Sequence, residues 1–337
     1  MKALLAVLLL IAWGAQAQAL HQVSQTKQGL WTITMHAYVP AALKTPKAPA
    51  VVLLHGCLQG PREFFADSGW RKVADQRGWL VVVAEFDDPG EHCLWWFDPE
   101  QRRQESAAQA DAIVKGLTAA RKRFQVPEGE NYVAGLSAGA AMAVGLLALY
   151  PDTFAAGASM AGVPFDCPRM TEEKRMMWAN QPCAVPGMQE LPQACACMAG
   201  DVDLSPDQWA GAVKALHPGR TTWPRISIWQ GAADPVVLCR NGIETAEQWS
   251  ALNGGRPPAI ACPPGKSQIM SKREPAKDQR WTLAGRGGKP AVELRLLDGF
   301  GHAVPVAEGK GCGKSGKFSA EAGVCAASEL ADFFAAP

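Results

Sequence analysis

Short apolar runs alternate with longer amphipathic stretches along most of the chain. The run at Ala50–Leu54 is apolar at every position, which is typical of a strand buried on both faces of a parallel sheet. Similar runs predict strands at 79–84, 132–134, 154–160, 224–230 and 291–297. Helical patterns lie at 62–76, 99–124, 138–149, 209–216, 244–252 and 320–334. This alternation predicts an α/β fold with a doubly wound, mostly parallel sheet.

Two segments do not follow this alternation of strands and helices. Residues 21–38 predict an edge hairpin with its turn at Lys27-Gln-Gly29, because Leu30, Thr32 and Thr34 alternate with Trp31, Ile33 and Met35 after that turn. Residues 162–206 carry four cysteines and several prolines and have no clear period. We interpret 162–206 as a Cys-rich insertion over the active-site face of one domain, rather than as a separate domain.

The first residues have the pattern of a secretory signal peptide. Lys2 supplies a positive end, 3–13 form the apolar run, and Ala15-Gln-Ala17 is a small-residue cleavage site with a second register at Ala17-Gln-Ala19. A buried first helix is the alternative. The apolar run is too short to span a bilayer. We therefore expect a signal peptide at 1–19, a single catalytic domain at 20–337, no membrane span, and a secreted or periplasmic protein.

Charge and length narrow the class of protein further. The chain has 337 residues, with 33 Lys and Arg against 32 Asp and Glu. One large α/β domain can absorb this length and bury a sizeable core. A balanced chain gives no electrostatic reason to expect nucleic acid or anionic lipid as the main partner.

The cysteines indicate an oxidising compartment. An even number in an exported chain predicts disulfides, although ten cysteines allow too many pairings for the connectivity to be deduced. Zinc is the competing interpretation, but Cys195-Ala-Cys197 is not a usual zinc spacing and no His-x3–5-His pair accompanies it. The ten positions are Cys57, Cys93, Cys167, Cys183, Cys195, Cys197, Cys239, Cys262, Cys312 and Cys325.

One pentapeptide carries the strongest chemical signal. Gly135-Leu-Ser137-Ala-Gly139 fits Gly-x-Ser-x-Gly and lies between a predicted strand and a predicted helix. This is the nucleophile elbow of the α/β-hydrolases, a sharp turn that presents a serine hydroxyl above the sheet. A Cβ at either glycine would crowd the turn where strand and helix approach. The alternative is a plain glycine-rich connection in which Ser137 caps the helix.

A nucleophilic serine needs a histidine base, and that base needs a carboxylate to hold its tautomer. In α/β-hydrolases the chain order is Ser, Asp or Glu, then His. His302 follows the last predicted strand in a Gly-rich loop, and Asp234 directly follows the strand at 224–230. His217 is the competing histidine and is interpreted as a surface residue. Asp298 is the competing acid and more plausibly shapes the loop before His302; Asp201 and Asp203, in the insertion, have little weight.

Two backbone amides are candidates for an oxyanion hole. The strand Ala50–Leu54 ends in His55-Gly-Cys57, where α/β-hydrolases place one oxyanion amide; the residue after the nucleophile supplies the other. Here these are the amides of Cys57 and Ala138. We interpret His55 as a structural residue that hydrogen-bonds to loop backbone, because this strand end is the wrong place for the base.

These residues resemble those of the polyhydroxybutyrate depolymerase-type esterases, which are related to bacterial feruloyl and acetylxylan esterases. The resemblance covers most of the mature chain. Its most specific parts are Leu54-His-Gly-Cys57-Leu-Gln59 and Gly135-Leu-Ser137-Ala-Gly-Ala-Ala-Met142, with further matches at Ser68-Gly-Trp70, Tyr150-Pro-Asp152, Ala161-Gly-Val-Pro164, the block 231–237, Gly301-His302 and Gly311-Cys-Gly313.

The resemblance implies the same triad, and it adds two features. Cys93 and Trp96 match the aromatic loop of the family, which implies a Cys57–Cys93 disulfide and a Trp96 near the acyl pocket. Leu94 and Trp95 depart from the family pattern, which weakens the carry-over of a substrate. The cysteine content of the insertion also exceeds the usual pattern.

The sequence therefore predicts an exported serine esterase. The expected substrates are hydroxybutyrate oligomers or polyester, or aryl esters such as feruloyl esters. The 24 residues after Gly313 leave room for a closing helix only, which favours soluble oligomers or small esters. A triad of this kind needs no cofactor or metal. The alternatives are a peptidase or acyltransferase on the same fold, or a non-catalytic exported binding protein. The sequence leaves the oligomeric state open.

Overall fold

The computed structural model describes residues 19–88, 93–96, 103–167, 176–178, 181, 183, 191–262 and 277–336. The predicted signal peptide lies outside these residues except for its last position, and so do most residues between 168 and 190 in the predicted insertion. The strands are β1 (His21–Gln28), β2 (Trp31–Tyr38), β3 (Ala50–Leu54), β4 (Leu80–Asp87), β5 (Asn131–Leu136), β6 (Ala156–Met160), β7 (Arg225–Gly231), β8 (Asp278–Ala284), β9 (Pro290–Leu297), β10 (Val304–Val306) and β11 (Ser319–Glu321). The helices are α1 (Pro61–Asp67), α2 (Trp70–Arg77), α3 (Arg103–Arg123), α4 (Ala138–Leu149), α5 (Pro192–Met198), α6 (Pro206–Lys214), α7 (Arg240–Leu252) and α8 (Ala326–Ala335).

Within the described residues, nine strands form one sheet in the order β1-β2-β4-β3-β5-β6-β7-β9-β8. The six central strands run parallel, whereas β1, β2 and β8 add antiparallel edges. Because the centre is parallel, the carboxyl ends of β3, β5, β7 and β9 meet at one edge of the sheet. That edge is where open α/β sheets bind ligands.

Helices cover both faces of the sheet, as the strand pattern predicted. Val52 and Leu54 of β3 pack with α3, α4, α6 and α7 on one face, whereas Val51 and Leu53 pack with α1, α2 and α8 on the other. All five β3 residues are buried, because successive side chains of a strand point to opposite faces and both faces are covered here. The predicted doubly wound α/β fold is confirmed.

Several boundaries differ from the sequence-based expectations. The helix expected at 62–76 is two helices, because Gly69 between them has a φ of 86° that a continuing helix cannot contain. The N-terminal hairpin turns one residue later than expected, at Gly29-Leu30. The closing helix begins at Ala326, since Ser319–Glu321 pairs with β10 as a short strand. The edge strand β8 was not predicted.

All ten cysteines lie in the described part of the chain and form five disulfides. The pairs are Cys57–Cys93, Cys167–Cys197, Cys183–Cys195, Cys239–Cys262 and Cys312–Cys325. This pairing favours the disulfide interpretation over zinc. Disulfides persist in oxidising compartments, so the pattern indicates a protein that functions outside the cytoplasm.

The described part of the predicted insertion packs over the carboxyl edge of the sheet. Cys195, Cys197 and Met198 of α5 share an apolar cluster with Ala138 at the start of α4 and with Val237 after β7. The carbonyl oxygen of Met198 also accepts a hydrogen bond from the Leu238 amide at 2.8 Å. Among the described residues, none of the helices combines the length and apolarity that crossing a bilayer requires.

Candidate active site

Ser137 lies on a strained turn between β5 and α4. Its backbone has φ 56° and ψ −121°, a conformation that a non-glycine residue rarely adopts. Its amide donates to the carbonyl oxygen of Met160 at 2.9 Å, which ties the turn to the neighbouring strand β6. The Ser137 hydroxyl does not cap α4, so the alternative interpretation of this serine as a helix cap does not hold. Strain of this kind clusters at functional sites, where surrounding structure maintains it.

The two glycines of the pentapeptide are required by close backbone approaches. A Cβ added at Gly135 would lie 2.1 Å from the carbonyl oxygen of Gly139. A Cβ added at Gly139 would lie 2.2 Å from the carbonyl oxygen of Leu54, at the end of β3. Both contacts are with backbone, which cannot move aside as a flexible side chain could. The sequence-based explanation of these glycines is confirmed.

Asp234 and His302 form a buried pair. The imidazole Nδ1 of His302 lies 2.8 Å from Oδ2 of Asp234, and the Asp234 side chain has no exposed surface. The other carboxylate oxygen of Asp234 accepts from the amides of Val236 at 2.8 Å and Val237 at 3.0 Å. These amides satisfy a charge that would be costly to bury alone. They also fix the orientation of the carboxylate toward the imidazole.

The loop that carries Asp234 is attached to the loop that carries His302. The amide of Ala232 donates to Leu297 O at 2.9 Å, and the amide of Ala233 donates to Phe300 O at 3.0 Å. The relative positions of acid and base are therefore set by backbone contacts and not by side chains alone.

The end of β3 lies directly beside Ser137. A Cβ added at Gly56 would lie 3.2 Å from Ser137 Cβ, and the Gly56 amide donates to Oε1 of the buried Gln59 at 2.8 Å. The disulfide between the half-buried Cys57 and the buried Cys93 braces the same loop. Ala138, whose amide is the other oxyanion candidate, is 3% exposed and begins α4.

The rejected candidates lie elsewhere or have other contacts. His55 is buried, with Nδ1 2.8 Å from Gly56 O and Nε2 3.4 Å from the Phe86 amide, as expected of a structural histidine. His217 lies against Ala148 O and not beside the Asp234 carboxylate. Asp298 is exposed, and Asp203 pairs with Arg240.

The side chains of the aromatic loop, of which the structure describes residues 93–96, pack partly in the main core and partly beside the candidate site. Trp96 is half-buried and packs in the cluster that contains Cys93, Ala138 and Ala141, next to the elbow. Leu94, one of the two departures from the family pattern, is buried in the main core. Trp95, the other departure, packs against both clusters. Trp96 is therefore the one of the three that packs against the cluster beside the elbow and not against the main core.

Sequence reasoning missed Gln230. This residue is 1% exposed at the end of β7, and its side-chain amide reaches both the Asp234 loop and its carboxylate. The available signal was a polar residue at the carboxyl end of a predicted strand, three residues after the polar Ser227. Among the described residues, no group of three or more His, Cys, Asp or Glu side chains is arranged to hold a metal ion.

The parallel sheet, the elbow serine and the buried acid–histidine pair at neighbouring strand ends define the α/β-hydrolase fold. The structure of acetyl xylan esterase from Aspergillus awamori shares this fold, with a TM-score of 0.61 at 21% identity over 87% of this chain and 97% of that one. The Thermogutta terrifontis esterase Est2 matches with a TM-score of 0.52 at 15% identity, over 95% and 94% of the two chains.

Comparisons of sequence identify the chemistry. The family model described as esterase PHB depolymerase matches residues 33–172. Poly(3-hydroxyalkanoate) depolymerase C of Paucimonas lemoignei is 29% identical over 98% of this chain and 73% of its own length. The acetylxylan esterase of Coprinopsis cinerea is 28% identical over 80% and 69%. The resemblance to the polyhydroxybutyrate depolymerase-type esterases is confirmed, and the chain is a carboxylic ester hydrolase.

Proposed function

We propose that the protein is an exported serine esterase in which Ser137 is the nucleophile, His302 the general base and acid, and Asp234 the residue that orients His302. The observation that carries this proposal is the buried contact of 2.8 Å between His302 Nδ1 and Asp234 Oδ2. It occurs at the same edge of the sheet as the strained Ser137. Chain order, strand position and side-chain contact all select the same acid and base.

The first step forms an acyl-enzyme. The Asp234 carboxylate holds the proton on Nδ1 of His302, so that Nε2 has a free lone pair. Nε2 takes the proton of the Ser137 hydroxyl as Oγ attacks the ester carbonyl carbon. The tetrahedral intermediate then collapses, the bond to the alcohol oxygen breaks, and His302 returns the proton to the departing alcohol.

The amides of Cys57 and Ala138 are the proposed donors to the oxyanion. The close approach of Gly56 to Ser137 supports this assignment, since it brings the end of β3 next to the attacking oxygen. Donors of this kind act where negative charge develops, and losing one costs about a hundredfold or more in turnover.

Water completes the cycle. His302 Nε2 removes a proton from a water molecule, the hydroxide oxygen attacks the acyl carbon, and the carboxylic acid leaves as Ser137 Oγ recovers its proton from His302. The products are one carboxylic acid and one alcohol. Every proton in the cycle passes through the same nitrogen, so fixing the imidazole matters in both halves of the reaction.

The proposed substrates are hydroxybutyrate oligomers or polyester, with aryl esters such as feruloyl esters as the second class. The first is supported by the name of the Paucimonas relative, and the second by the feruloyl esterase B of Talaromyces stipitatus, which is 26% identical over 74% of this chain. Trp96 is the proposed wall of the acyl pocket, because it packs beside Ala138 and Ala141 next to the elbow.

The proposed location is the periplasm or the extracellular space. The five disulfides support it, together with the leader pattern at 1–19. Residues 20–337 are proposed as one catalytic domain, with the insertion at 162–206 covering the site. Cell fractionation of the full-length chain, with mass determination of the mature N-terminus, tests this part of the proposal.

The test of the activity is a panel of esters. Wild type is assayed on hydroxybutyrate oligomers, a polyester film, short-chain p-nitrophenyl esters and methyl ferulate, beside Ser137→Ala and the control Ser159→Ala. Ser159 is buried in β6, opposite Gly135, so its loss removes a serine near the site without removing the proposed nucleophile. We expect wild type and Ser159→Ala to cleave one class and Ser137→Ala to cleave none. Turnover by folded Ser137→Ala at the wild-type rate contradicts the proposal.

A further inference from the structure

Gln230 has a side-chain amide that is surrounded by hydrogen-bond acceptors. Its Nε2 lies 2.8 Å from Val237 O, 3.4 Å from Asp234 Oδ2 and 3.4 Å from Gly231 O. All three neighbours are oxygens that can only accept. The amide orientation is therefore fixed by chemistry, because turning Oε1 toward them would place oxygen against oxygen.

The remaining contacts of Gln230 hold it in this position. The residue is 1% exposed. The first turn of α7 packs closely against its aliphatic part, since a Cβ added at Gly242 would lie 2.7 Å from Gln230 Cβ. The opposite amide atom, Oε1, is buried and has no hydrogen-bond partner among the described residues. An unsatisfied buried oxygen is costly, so the stability of the fold alone does not favour glutamine here.

The Gln230 side chain joins the two ends of the loop that carries Asp234. The loop leaves β7 at Gly231 and returns past Val237, and the strongest bond of the Gln230 amide is to the Val237 carbonyl. The Val237 amide, on the same residue, donates to Asp234 Oδ1. The Gln230 amide thus contacts the Asp234 carboxylate directly at Oδ2. It also holds Val237, whose backbone amide donates to Oδ1 of the same carboxylate.

We infer that Gln230 is a positioning residue, which fixes the Asp234 carboxylate toward His302 and moderates its negative charge. The inference rests on the proposed function, because it concerns the acid of the proposed triad. It assigns no direct contact with substrate to Gln230. Its effect reaches the reaction through Asp234 and then through the imidazole.

The effect on pH dependence has a defined sign. The amide N–H near Oδ2 stabilises the carboxylate and withdraws part of its charge from His302. Removing it lets Asp234 hold a protonated imidazole more strongly. The acidic limb of the kcat/KM profile, where the base becomes protonated, then moves to higher pH. A residue with only a structural role would lower the rate without moving this limb.

The test compares Gln230→Met with Gln248→Met. Methionine keeps the length and most of the volume of glutamine but donates no hydrogen bond. Gln248 is an equally buried glutamine whose Nε2 donates to Phe165 O and Trp209 O, each at 3.0 Å, with no bond to the Asp234 loop. Both variants lose a buried amide, so a difference between them reports the position of the amide and not its burial.

For Gln230→Met we expect kcat on the best ester to fall about tenfold, because the variant loses the hydrogen bonds to the Asp234 carboxylate and to the Val237 carbonyl. KM should stay within about twofold of the wild-type value. The acidic limb of kcat/KM should also move to higher pH. Gln248→Met should have a lower Tm than wild type. Its kcat should stay within about twofold of wild type, and the acidic limb of its kcat/KM profile should lie at the same pH as in wild type. The inference is overturned if Gln230→Met keeps the wild-type kcat, or if its rate falls with the limb unmoved.

Gln230→Glu gives the same test if Gln230→Met does not fold. Glutamate has nearly the shape of glutamine but faces the three acceptors with a carboxylate, so we expect a larger loss of kcat at neutral pH than in Gln230→Met. A wild-type rate in folded Gln230→Glu overturns the inference. Wild type and Ser137→Ala in the same assay keep the two proposals apart. If Ser137→Ala is fully active, the proposed triad fails, whatever the Gln230 variants do.

Discussion

Gly231 at the end of β7 lies directly against the backbone of Phe300, in the loop that carries His302. A Cβ added at Gly231 would come within 2.4 Å of Phe300 O and 2.5 Å of Gly301 O. The Asp234 loop and the His302 loop therefore pack backbone to backbone, three residues before Asp234 and one to two residues before His302. No side chain larger than hydrogen fits between them.

Gly231→Ala should consequently damage catalysis more than folding. The added methyl group pushes the His302 loop away from Asp234, and a misplacement of about 1 Å in a catalytic group costs on the order of a hundredfold in rate. We expect kcat/KM to fall by about that factor while the protein remains folded by circular dichroism.

The matched control for this variant is Gly211→Ala. Gly211 lies within α6, where an added Cβ meets nothing within 4 Å. Alanine is favoured over glycine in a helix by up to about 1 kcal/mol, so this variant should be as active as wild type and slightly more stable. Equal activity in the two alanine variants would show that the Gly231 contact does not position His302.

Removing the Cys57–Cys93 disulfide should affect turnover and not only stability. The bridge braces the loop whose Cys57 amide is the proposed oxyanion donor, and serine at position 57 keeps that amide. Opening the bridge with Cys57→Ser and Cys93→Ser lets the donor move, so kcat should fall by about tenfold or more with a smaller change in KM.

The Cys312–Cys325 bridge provides the comparison. The two bridges close sequence separations of 36 and 13 residues. In the chain-entropy model both are worth about 3–4 kcal/mol. The Cys312–Cys325 bridge lies in the apolar cluster that contains α8, whereas Cys57 and Cys93 lie in the separate cluster beside Ser137. We expect its double serine variant to lose a similar amount in Tm and to keep the wild-type kcat below that Tm. A similar loss of kcat in both variants would contradict a role for the first bridge in the site.

Glu244 should make stability depend on pH. Burial raises the pKa of the Glu244 carboxyl from 4.5 to about 7, an effect that the nearby Glu247 and Asp203 reinforce, whereas the hydrogen bond from Trp209 and the ion pair with Arg240 oppose it. Because the folded-state pKa is raised, protonation favours the fold. The stability from this group is fully present below about pH 4.5 and is lost as pH rises through about 7.

Glu244→Gln removes this titration while keeping an oxygen that can accept from Trp209. Relative to wild type, the variant should gain Tm progressively from pH 5 to pH 8. Thermal unfolding at several pH values in this range measures the difference, with Glu63→Gln at an exposed position of α1 as the control. A Tm difference between Glu244→Gln and wild type that is constant across pH would contradict the account.

The parts of the fold that the sequence predicted well are those with a strong local pattern. Ala50–Leu54 and Ala138–Leu149 have the predicted boundaries, because each is apolar over its full length and ends at a turn that its own residues define. The edge strand Asp278–Ala284 escaped prediction. Its side chains are mostly exposed, so the strand is specified by pairing with β9 and not by its own alternation.

The candidate site also contains some residues that the sequence predicts and others that it does not. Chain order together with position after a predicted strand led to Asp234 and His302, because the fold places them after particular strands. Gln230 could not be found this way, since its role arises from a loop that folds back onto its amide. The contact between Gly231 and Phe300 is likewise invisible in sequence, because it joins two loops about seventy residues apart.

The central claim is that Ser137 is the nucleophile and that the Asp234–His302 pair activates it. A fluorophosphonate that modifies activated serines, followed by peptide mass mapping, tests it most directly. We expect a single adduct, on Ser137, that is absent in Ser137→Ala, is formed far more slowly in His302→Ala, and is unchanged in Ser159→Ala. An adduct on another residue, or labelling of His302→Ala at the wild-type rate, would contradict the account.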